Sequence, residues 1–196
     1  PVERMPLVEV IRTEATSKET LARALDFLKA IEETPVVVRD GPGFLVNRLL
    51  AFYSAEAMWL LDEGHRVEAI DRALVDWGMP MGPLRLADEV GLDVSAKVGR
   101  ILHGAFPDRL LFPAWIERIA GDATRLGAKS GRGIYAYKKG REQEPDPAIY
   151  AVLGLAPAAE LAPPSADRLI LSMANDAARC LAGGDVDGPG ALDLAQ

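Results

Sequence analysis

The sequence is poor in the residues that build disulfide frameworks and metal sites. Its 196 residues include one cysteine, Cys180, and two histidines, His65 and His103. A single cysteine excludes a disulfide framework and a zinc site built on cysteines, and neither histidine has a partner at the spacing of metal ligands. We therefore expect no metal site, and we interpret Cys180 as a small core residue.

Long apolar runs and a surplus of positive charge are also absent. Charged residues interrupt every apolar stretch before it reaches the roughly 20 residues that a membrane-spanning helix needs. Lys and Arg number 22 against 29 Asp and Glu, a formal net charge of −7, which argues against a nucleic-acid partner or an anionic membrane surface. Hydrophobic residues make up 49% of the chain, as in an ordinary globular protein with a sizeable core.

The sequence also lacks a Gly-x-Gly-x-x-Gly segment after a strand, so it has no loop for dinucleotide phosphates. Strands are predicted over Leu7–Ile11 and Val36–Val38, with an amphipathic helix between them. A capping box with Thr16 as N-cap and Glu19 three residues later favours the start of that helix. Because two strands do not form a stable sheet alone, we predict that residues 1–40 are the last βαβ piece of a larger parallel sheet.

From residue 41 onward the pattern is helical, so the fold is predicted to be mainly α. A helical domain is predicted over residues 41–140, with helices at 44–63, 67–77, 84–90, 93–106 and 112–120. Residues 141–164 contain five of the 14 prolines. They are predicted to form a linker with one short helix near Pro147–Leu153.

The chain then repeats itself. Arg48 and Arg168, like Gly64 and Gly184, are identical residues 120 positions apart. We predict that residues 165–196 begin a second copy of the helical unit and that this copy is truncated. Since the chain also opens at Pro1 without a methionine, we expect it to be a fragment of a longer protein.

Two polar residues are candidates for chemistry. Glu9 lies inside an apolar strand, where a carboxylate either faces solvent at a strand end or is buried with a partner. Asn47 lies at the start of the long helix, directly after Gly-Pro-Gly. Its helical neighbours Ala51 and Ser54 are small and would leave room for a ligand, but a capping or solvent-facing role is also open.

Four segments, in this order, resemble the 3-hydroxyacyl-CoA dehydrogenase family. The segments are PVERMPLVEVI (Pro1–Ile11), DGPGFLVNR (Asp40–Arg48), GMPMGP with DEVGLD (Gly78–Pro83, Asp88–Asp93) and KSGRGIY (Lys129–Tyr135). The tandem second unit is similar to the multifunctional α-subunits of the fatty-acid β-oxidation complex. The resemblance implies the end of a Rossmann-type NAD-binding domain followed by the family's helical C-terminal domain.

The resemblance also implies an activity, the NAD-dependent oxidation of an L-3-hydroxyacyl-CoA to the 3-ketoacyl-CoA. The family's catalytic base is a histidine in a segment whose last residue matches Pro1, so that base would precede this chain. Glu9 matches the carboxylate that orients this histidine, and Asn47 matches the asparagine that contacts the substrate. We expect NAD in the intact enzyme and none bound to this fragment.

Three further expectations rest on the same resemblance. They are an acyl-CoA substrate, an association with a thiolase subunit in a β-oxidation complex, and a cytoplasmic location (the mitochondrial matrix in a eukaryote). Two alternatives stay open. One is a related 3-hydroxyacid dehydrogenase that acts on a free acid, and the other, for the fragment alone, is a helical assembly module without activity.

Overall fold

The structure is a computed structural model and describes residues 6–138, 141–158 and 161–195. The segment Pro1–Met5, which opens the first family motif, lies outside the described residues. The chain divides into two compact units, one of residues up to Leu50 together with those from Met173 onward, the other Ala51–Ser172. Both boundaries fall inside long helices.

The first unit begins with the predicted strand, helix and strand. They are β1 (Leu7–Arg12), α1 (Lys18–Ala30) and β2 (Thr34–Arg39), and the two strands pair in parallel from Leu7 opposite Thr34 to Arg12 opposite Arg39. The N-cap of α1 is Ser17, whose hydroxyl accepts a hydrogen bond from the Thr20 amide. The prediction of Thr16 as N-cap is therefore wrong, because the Thr16 hydroxyl instead accepts from the amide of Thr13.

The helices that follow agree with the predicted mainly α fold. Those of the described residues are α2 (Val46–Asp62), α3 (Val67–Trp77), α4 (Pro83–Val90), α5 (Leu92–Ala105), α6 (Trp115–Ala120), α7 (Ile149–Leu153), α8 (Ala166–Ala182) and α9 (Pro189–Ala195). Cys180 on α8 is fully buried, as expected for a core residue. In the described part of the chain, no helix is both long and apolar enough to cross a membrane.

A hairpin that the sequence analysis did not foresee closes the second unit. Its strands β3 (Tyr135–Lys138) and β4 (Arg141–Pro145) pair antiparallel, so the predicted linker over residues 141–164 begins with a strand. The short helix expected in this linker is α7, and its side chains Ile149 and Leu153 are fully buried. Residues 141–145 have no local strand pattern. Their strand therefore depends on pairing with β3.

Two buried carboxylates hold the second unit together through backbone amides. Asp71 accepts from the amides of Leu84 and Arg85 at the start of α4, each at 2.9 Å. Asp88 accepts from the amides of Ile134 (2.9 Å) and Tyr135 (2.8 Å). Burial, with Asp71 nearby, raises the pKa of Asp88 to about 6, although the amide hydrogen bonds act in the opposite direction.

These carboxylates explain glycines in two of the family motifs. A Cβ at Gly82 would lie 2.1 Å from Asp71 Cγ, and a Cβ at Gly133 would lie 2.1 Å from Asp88 Oδ1. The chain can approach each carboxylate closely only because both positions lack a side chain. The GMPMGP and KSGRGIY segments therefore have a structural role in this unit.

We expect Gly133→Ala to lower the free energy of unfolding by about 2 kcal/mol or more. The added methyl group would contact both Asp88 Oδ1 and, at 2.6 Å, the Cα of Gly127. Gly104→Ala is the matched control, because Gly104 lies in α5 with nothing within 4 Å of its Cβ position. That variant should be unchanged or more stable by up to about 1 kcal/mol. Urea denaturation measures both, and equal stabilities would contradict the close approach.

Candidate functional site

Glu9, the first candidate residue, binds the beginning of α2. Its Oε1 accepts hydrogen bonds from the backbone amides of Leu45, at 2.7 Å, and Val46, at 3.2 Å. Amides in the first turn of a helix have no acceptor within the helix, and a carboxylate there also interacts favourably with the helix dipole. Of the two roles open for Glu9 in the sequence, the structure therefore favours the partnered one, and the partner is a helix N-terminus.

The turn between β2 and α2 brings those amides to Glu9. Gly43 has φ of 73° and Phe44 has φ of 48°, so two successive residues take the left-handed conformation. The Phe44 amide donates to the carbonyl of Gly41, and the Arg48 amide donates to that of Gly43. The glycines of the Asp40–Arg48 motif thus reverse the chain and direct the start of α2 toward β1.

The amides of Leu45 and Val46 both donate to the same oxygen of the Glu9 carboxylate, Oε1. Among the described residues, Oε2 accepts no hydrogen bond, and the side chain is half-buried. A carboxylate with one oxygen fixed by two amides and the other open can accept one further N–H in a defined direction.

Asn47, the second candidate, is the second residue of α2 and is exposed. Within the described part of the chain its side-chain amide makes no hydrogen bond, so it does not act as a cap. The amide carries both a donor and an acceptor and could bind a carbonyl or hydroxyl oxygen of a ligand. The Glu9 carboxylate of β1 therefore contacts the turn that carries Asn47, since it binds the amide of the residue before Asn47.

A third residue of this turn, Arg48, was not recognised as a site residue from the sequence. Its guanidinium is buried and donates to Asp176 at 2.6 Å and 3.3 Å and to Asp185 at 2.9 Å. Burial lowers the pKa of Arg48, but the hydrogen bonds to Asp176 and the nearby carboxylates raise it by more. The match between Arg48 and Arg168 was a signal in the sequence, although it did not reveal the carboxylate partners.

The described residues do not fit the phosphates of a dinucleotide. In nucleotide-binding βαβ units, a glycine-rich turn leads from strand to helix so that backbone amides reach the phosphates. Here the turn from β1 to α1 contains no glycine, and Ser17 itself caps the helix. This turn therefore provides no set of backbone amides for the phosphates of NAD.

The candidate residues line neither a cluster of metal ligands nor the apolar cavity of the second unit. No group of three or more His, Cys, Asp or Glu in the described part of the chain could hold a metal ion. A cavity of about 330 Å³ in the second unit is mainly apolar, with Met58, Phe112 and Ile116 in its lining. Glu9 and Asn47 do not line it.

We expect Glu9→Ala to lower the free energy of unfolding by about 1–2 kcal/mol, because two helix amides lose their acceptor. Glu9→Gln keeps an oxygen for these amides and should lose less than half as much. Glu14→Ala is the control, since Glu14 is exposed, and it should stay within about 0.5 kcal/mol of the parent. Chemical denaturation of the three variants measures this. If Glu9→Ala were as stable as Glu14→Ala, the cap would not stabilise the fold.

Comparisons with known proteins match the chain to one family. The family model described as "3-hydroxyacyl-CoA dehydrogenase, NAD binding domain" matches residues 1–41, and "3-hydroxyacyl-CoA dehydrogenase, C-terminal domain" matches residues 43–137. The fatty acid oxidation complex subunit alpha of Shewanella loihica is 45% identical over 191 residues, which are 96% of this chain and 27% of that protein. Its counterpart in Shewanella halifaxensis is 47% identical over 183 residues. The chain spans about a quarter of the length of these relatives.

Solved structures give the same result. The 3-hydroxybutyryl-CoA dehydrogenase of Escherichia coli K12 has a TM-score of 0.67 and 37% identity over 73% of this chain and 31% of its own. The dehydrogenase part of multifunctional enzyme 1 from C. elegans has a TM-score of 0.67 and 26% identity over 97% of this chain and 44% of its own. With the two family models, these matches confirm the resemblance seen in the sequence. The chain belongs to the 3-hydroxyacyl-CoA dehydrogenase family.

Proposed function

We propose that this chain is part of an NAD-dependent L-3-hydroxyacyl-CoA dehydrogenase of fatty-acid β-oxidation. The intact enzyme would oxidise the 3-hydroxyl group of its acyl-CoA substrate to a ketone, with NAD held by residues outside this chain. The observation that carries the proposal is the contact between the Glu9 carboxylate and the helical turn that carries Asn47, within a chain that matches two models of this dehydrogenase family.

In this proposal Glu9 is a positioning residue. Its Oε1 is fixed by the amides of Leu45 and Val46, and its open Oε2 would accept the N–H of the histidine base that the family resemblance implies. When that histidine takes the proton of the substrate hydroxyl, the ring becomes positively charged. The carboxylate then stabilises a charge that is absent before the reaction, and this lowers the barrier.

Asn47 would bind the substrate. Its exposed amide can donate to the 3-oxygen or to the thioester carbonyl, and it is held in the first turn of a helix whose start is fixed. A rigid donor of this kind orients the reacting carbon and stabilises negative charge on the oxygen. The residue therefore acts on the acyl-CoA and not on NAD.

Two expectations about the wider enzyme belong to the same proposal. The Shewanella relatives are named subunits of a fatty acid oxidation complex, which supports association with a further subunit, and we expect this subunit to be a thiolase. The bacterial source of these relatives supports a cytoplasmic location.

We expect the intact enzyme that carries this chain to reduce NAD with a 3-hydroxyacyl-CoA, and Asn47→Ala to lower kcat/KM. One lost hydrogen bond corresponds to about 1–3 kcal/mol, or roughly ten- to a hundredfold. The Kd for NAD should stay within about twofold, because the substitution acts on the acyl-CoA side. NADH absorbance and calorimetry provide the two readouts.

Asp167→Ala is the matched control for this experiment. Asp167 lies 120 residues after Asn47, is exposed and occupies the same position in α8. It should leave both kcat/KM and NAD affinity near the parent values. An intact enzyme without activity on any 3-hydroxyacyl-CoA would contradict the proposed function, and an equal loss of NAD affinity in Asn47→Ala would remove Asn47 from the substrate site.

A further inference from the structure

The long helix of the second copy has the same length as that of the first and follows it at a constant offset of 120 residues. Helix α2 covers Val46–Asp62 and α8 covers Ala166–Ala182, so both have 17 residues and lie 120 positions apart. The glycines that follow them, Gly64 and Gly184, both have positive φ, at 98° and 70°. The two helices therefore provide equivalent positions that can be compared directly.

Hydrogen bonds between these helices are reciprocal. In the first unit Arg48 Nε donates to Asp176 Oδ2 at 2.6 Å, and in the second unit Arg168 Nε donates to Glu56 Oε2 at 2.7 Å. Arg168 lies 120 residues after Arg48, and Asp176 lies 120 residues after Glu56. The same arginine–carboxylate pair is thus made twice, with the roles of the two helices exchanged.

A third contact joins positions that are 120 residues apart. Phe52 lies midway between Arg48 and Glu56, and Ser172 lies midway between Arg168 and Asp176. Ser172 Oγ donates to the carbonyl of Phe52 at 3.3 Å, and these positions are again 120 residues apart. Positions 52 and 172 thus correspond in the same way as the partners of the two ion pairs. The two ion pairs are therefore equivalent by position, so any difference between them reflects their surroundings.

Their surroundings differ strongly. The Arg48 and Asp176 side chains are 10% and 2% exposed, whereas those of Arg168 and Glu56 are 39% and 30% exposed. Arg48 also donates to Asp185, whose other carboxylate oxygen accepts from Arg39. Solvent screens the exposed pair, whereas the loss of Asp176 would remove the closest carboxylate from a buried guanidinium.

The segment that supplies these carboxylates is itself attached to the strands of the first unit. The Arg39 amide at the end of β2 donates to the carbonyl of Asp185 at 2.8 Å, and Val38 forms an isolated antiparallel bridge with Val186. Arg12, at the end of β1, pairs with Asp187 at 2.6 Å. The connection between α8 and α9 therefore has a fixed position next to the sheet.

We propose that Asp176 and Asp185 are positioning residues for the active site, and this rests on the proposed function. Arg48 follows Asn47 directly, and its guanidinium is held by both carboxylates of the second copy. The first turn of α2 is thus fixed by Glu9 through its backbone and by Asp176 and Asp185 through Arg48. The second helical copy completes the substrate site of the first by orienting Asn47.

The test compares Asp176→Asn with Glu56→Gln in the intact enzyme. Both variants remove the charge from equivalent pairs, but only Asp176→Asn acts next to Asn47. We expect it to lower kcat/KM for the 3-hydroxyacyl-CoA by roughly ten- to a hundredfold, the loss that a small misplacement of a substrate-binding group produces, with unchanged NAD affinity. Glu56→Gln should stay within about twofold of the parent, since its pair is exposed.

A double-mutant cycle with Asn47→Ala distinguishes positioning from a general loss of stability. If Asp176 acts through Asn47, then adding Asp176→Asn to Asn47→Ala should lower kcat/KM no further. Losses that multiply, or equal losses in Asp176→Asn and Glu56→Gln, would overturn the proposal. If Asp176→Asn does not fold, Asp185→Asn replaces it in the cycle, because it removes charge from only one of the two partners of Arg48.

Hydrogen exchange provides a readout that does not depend on activity. Asp176→Asn should speed exchange of the Leu45 and Val46 amides, which Glu9 protects, whereas Glu56→Gln should not. Unchanged exchange in Asp176→Asn would overturn the positioning role even if the enzyme had no dehydrogenase activity. Inactivity of the parent enzyme contradicts the proposed function, so the two failures are distinguishable.

Discussion

The two hydrogen bonds from the Leu45 and Val46 amides to Glu9 determine where the helical part of the chain begins. They join a strand of the nucleotide-binding type of unit to the first turn of α2, at 2.7 Å and 3.2 Å. Asn47 and Arg48 follow on the same turn, so their positions depend on this contact. A carboxylate that caps a helix with one oxygen keeps the other for a further partner, which allows one residue to be structural and functional at once.

The family motifs divide into two kinds when their contacts are compared. The Asp40–Arg48 segment forms the turn that delivers the helix N-terminus to Glu9. The Gly78–Pro83 and Lys129–Tyr135 segments instead contain glycines that let the chain approach Asp71 and Asp88. A family motif can therefore be needed for a close approach of the backbone or for chemistry. The contacts of its residues show which of these two roles it has.

Local patterns were sufficient to predict most helices. The predicted helix over 67–77 has the bounds of α3, and the predicted start of the second copy falls one residue before α8. The local pattern made Glu9 and Asn47 candidates, and the family resemblance supplied the roles predicted for them. The division of the chain at residues 40, 140 and 164 stays a prediction, since domain limits depend on contacts that a sequence pattern does not contain.

What the sequence did not reveal depends on partners distant along the chain. Glu9 binds amides 36 and 37 residues away, and Arg48 binds a carboxylate 128 residues away. Every residue except proline has a backbone amide, so the sequence does not show which amides will bind Glu9. The N-cap of α1 was misplaced by one residue for a different reason, because Thr16 and Ser17 are both good caps and only geometry selects between them.

The central claim is that Glu9 contributes charge to catalysis in addition to its cap, and the kcat of Glu9→Gln in the intact enzyme tests this most directly. The amide oxygen can still accept from Leu45 and Val46, so the variant should fold and bind both ligands. Without the negative charge, the imidazolium formed during the reaction is no longer stabilised. We predict a fall in kcat on the order of 10²–10⁴, the range for positioned acid–base groups, with little change in melting temperature. A folded Glu9→Gln enzyme with the parent kcat would contradict the account.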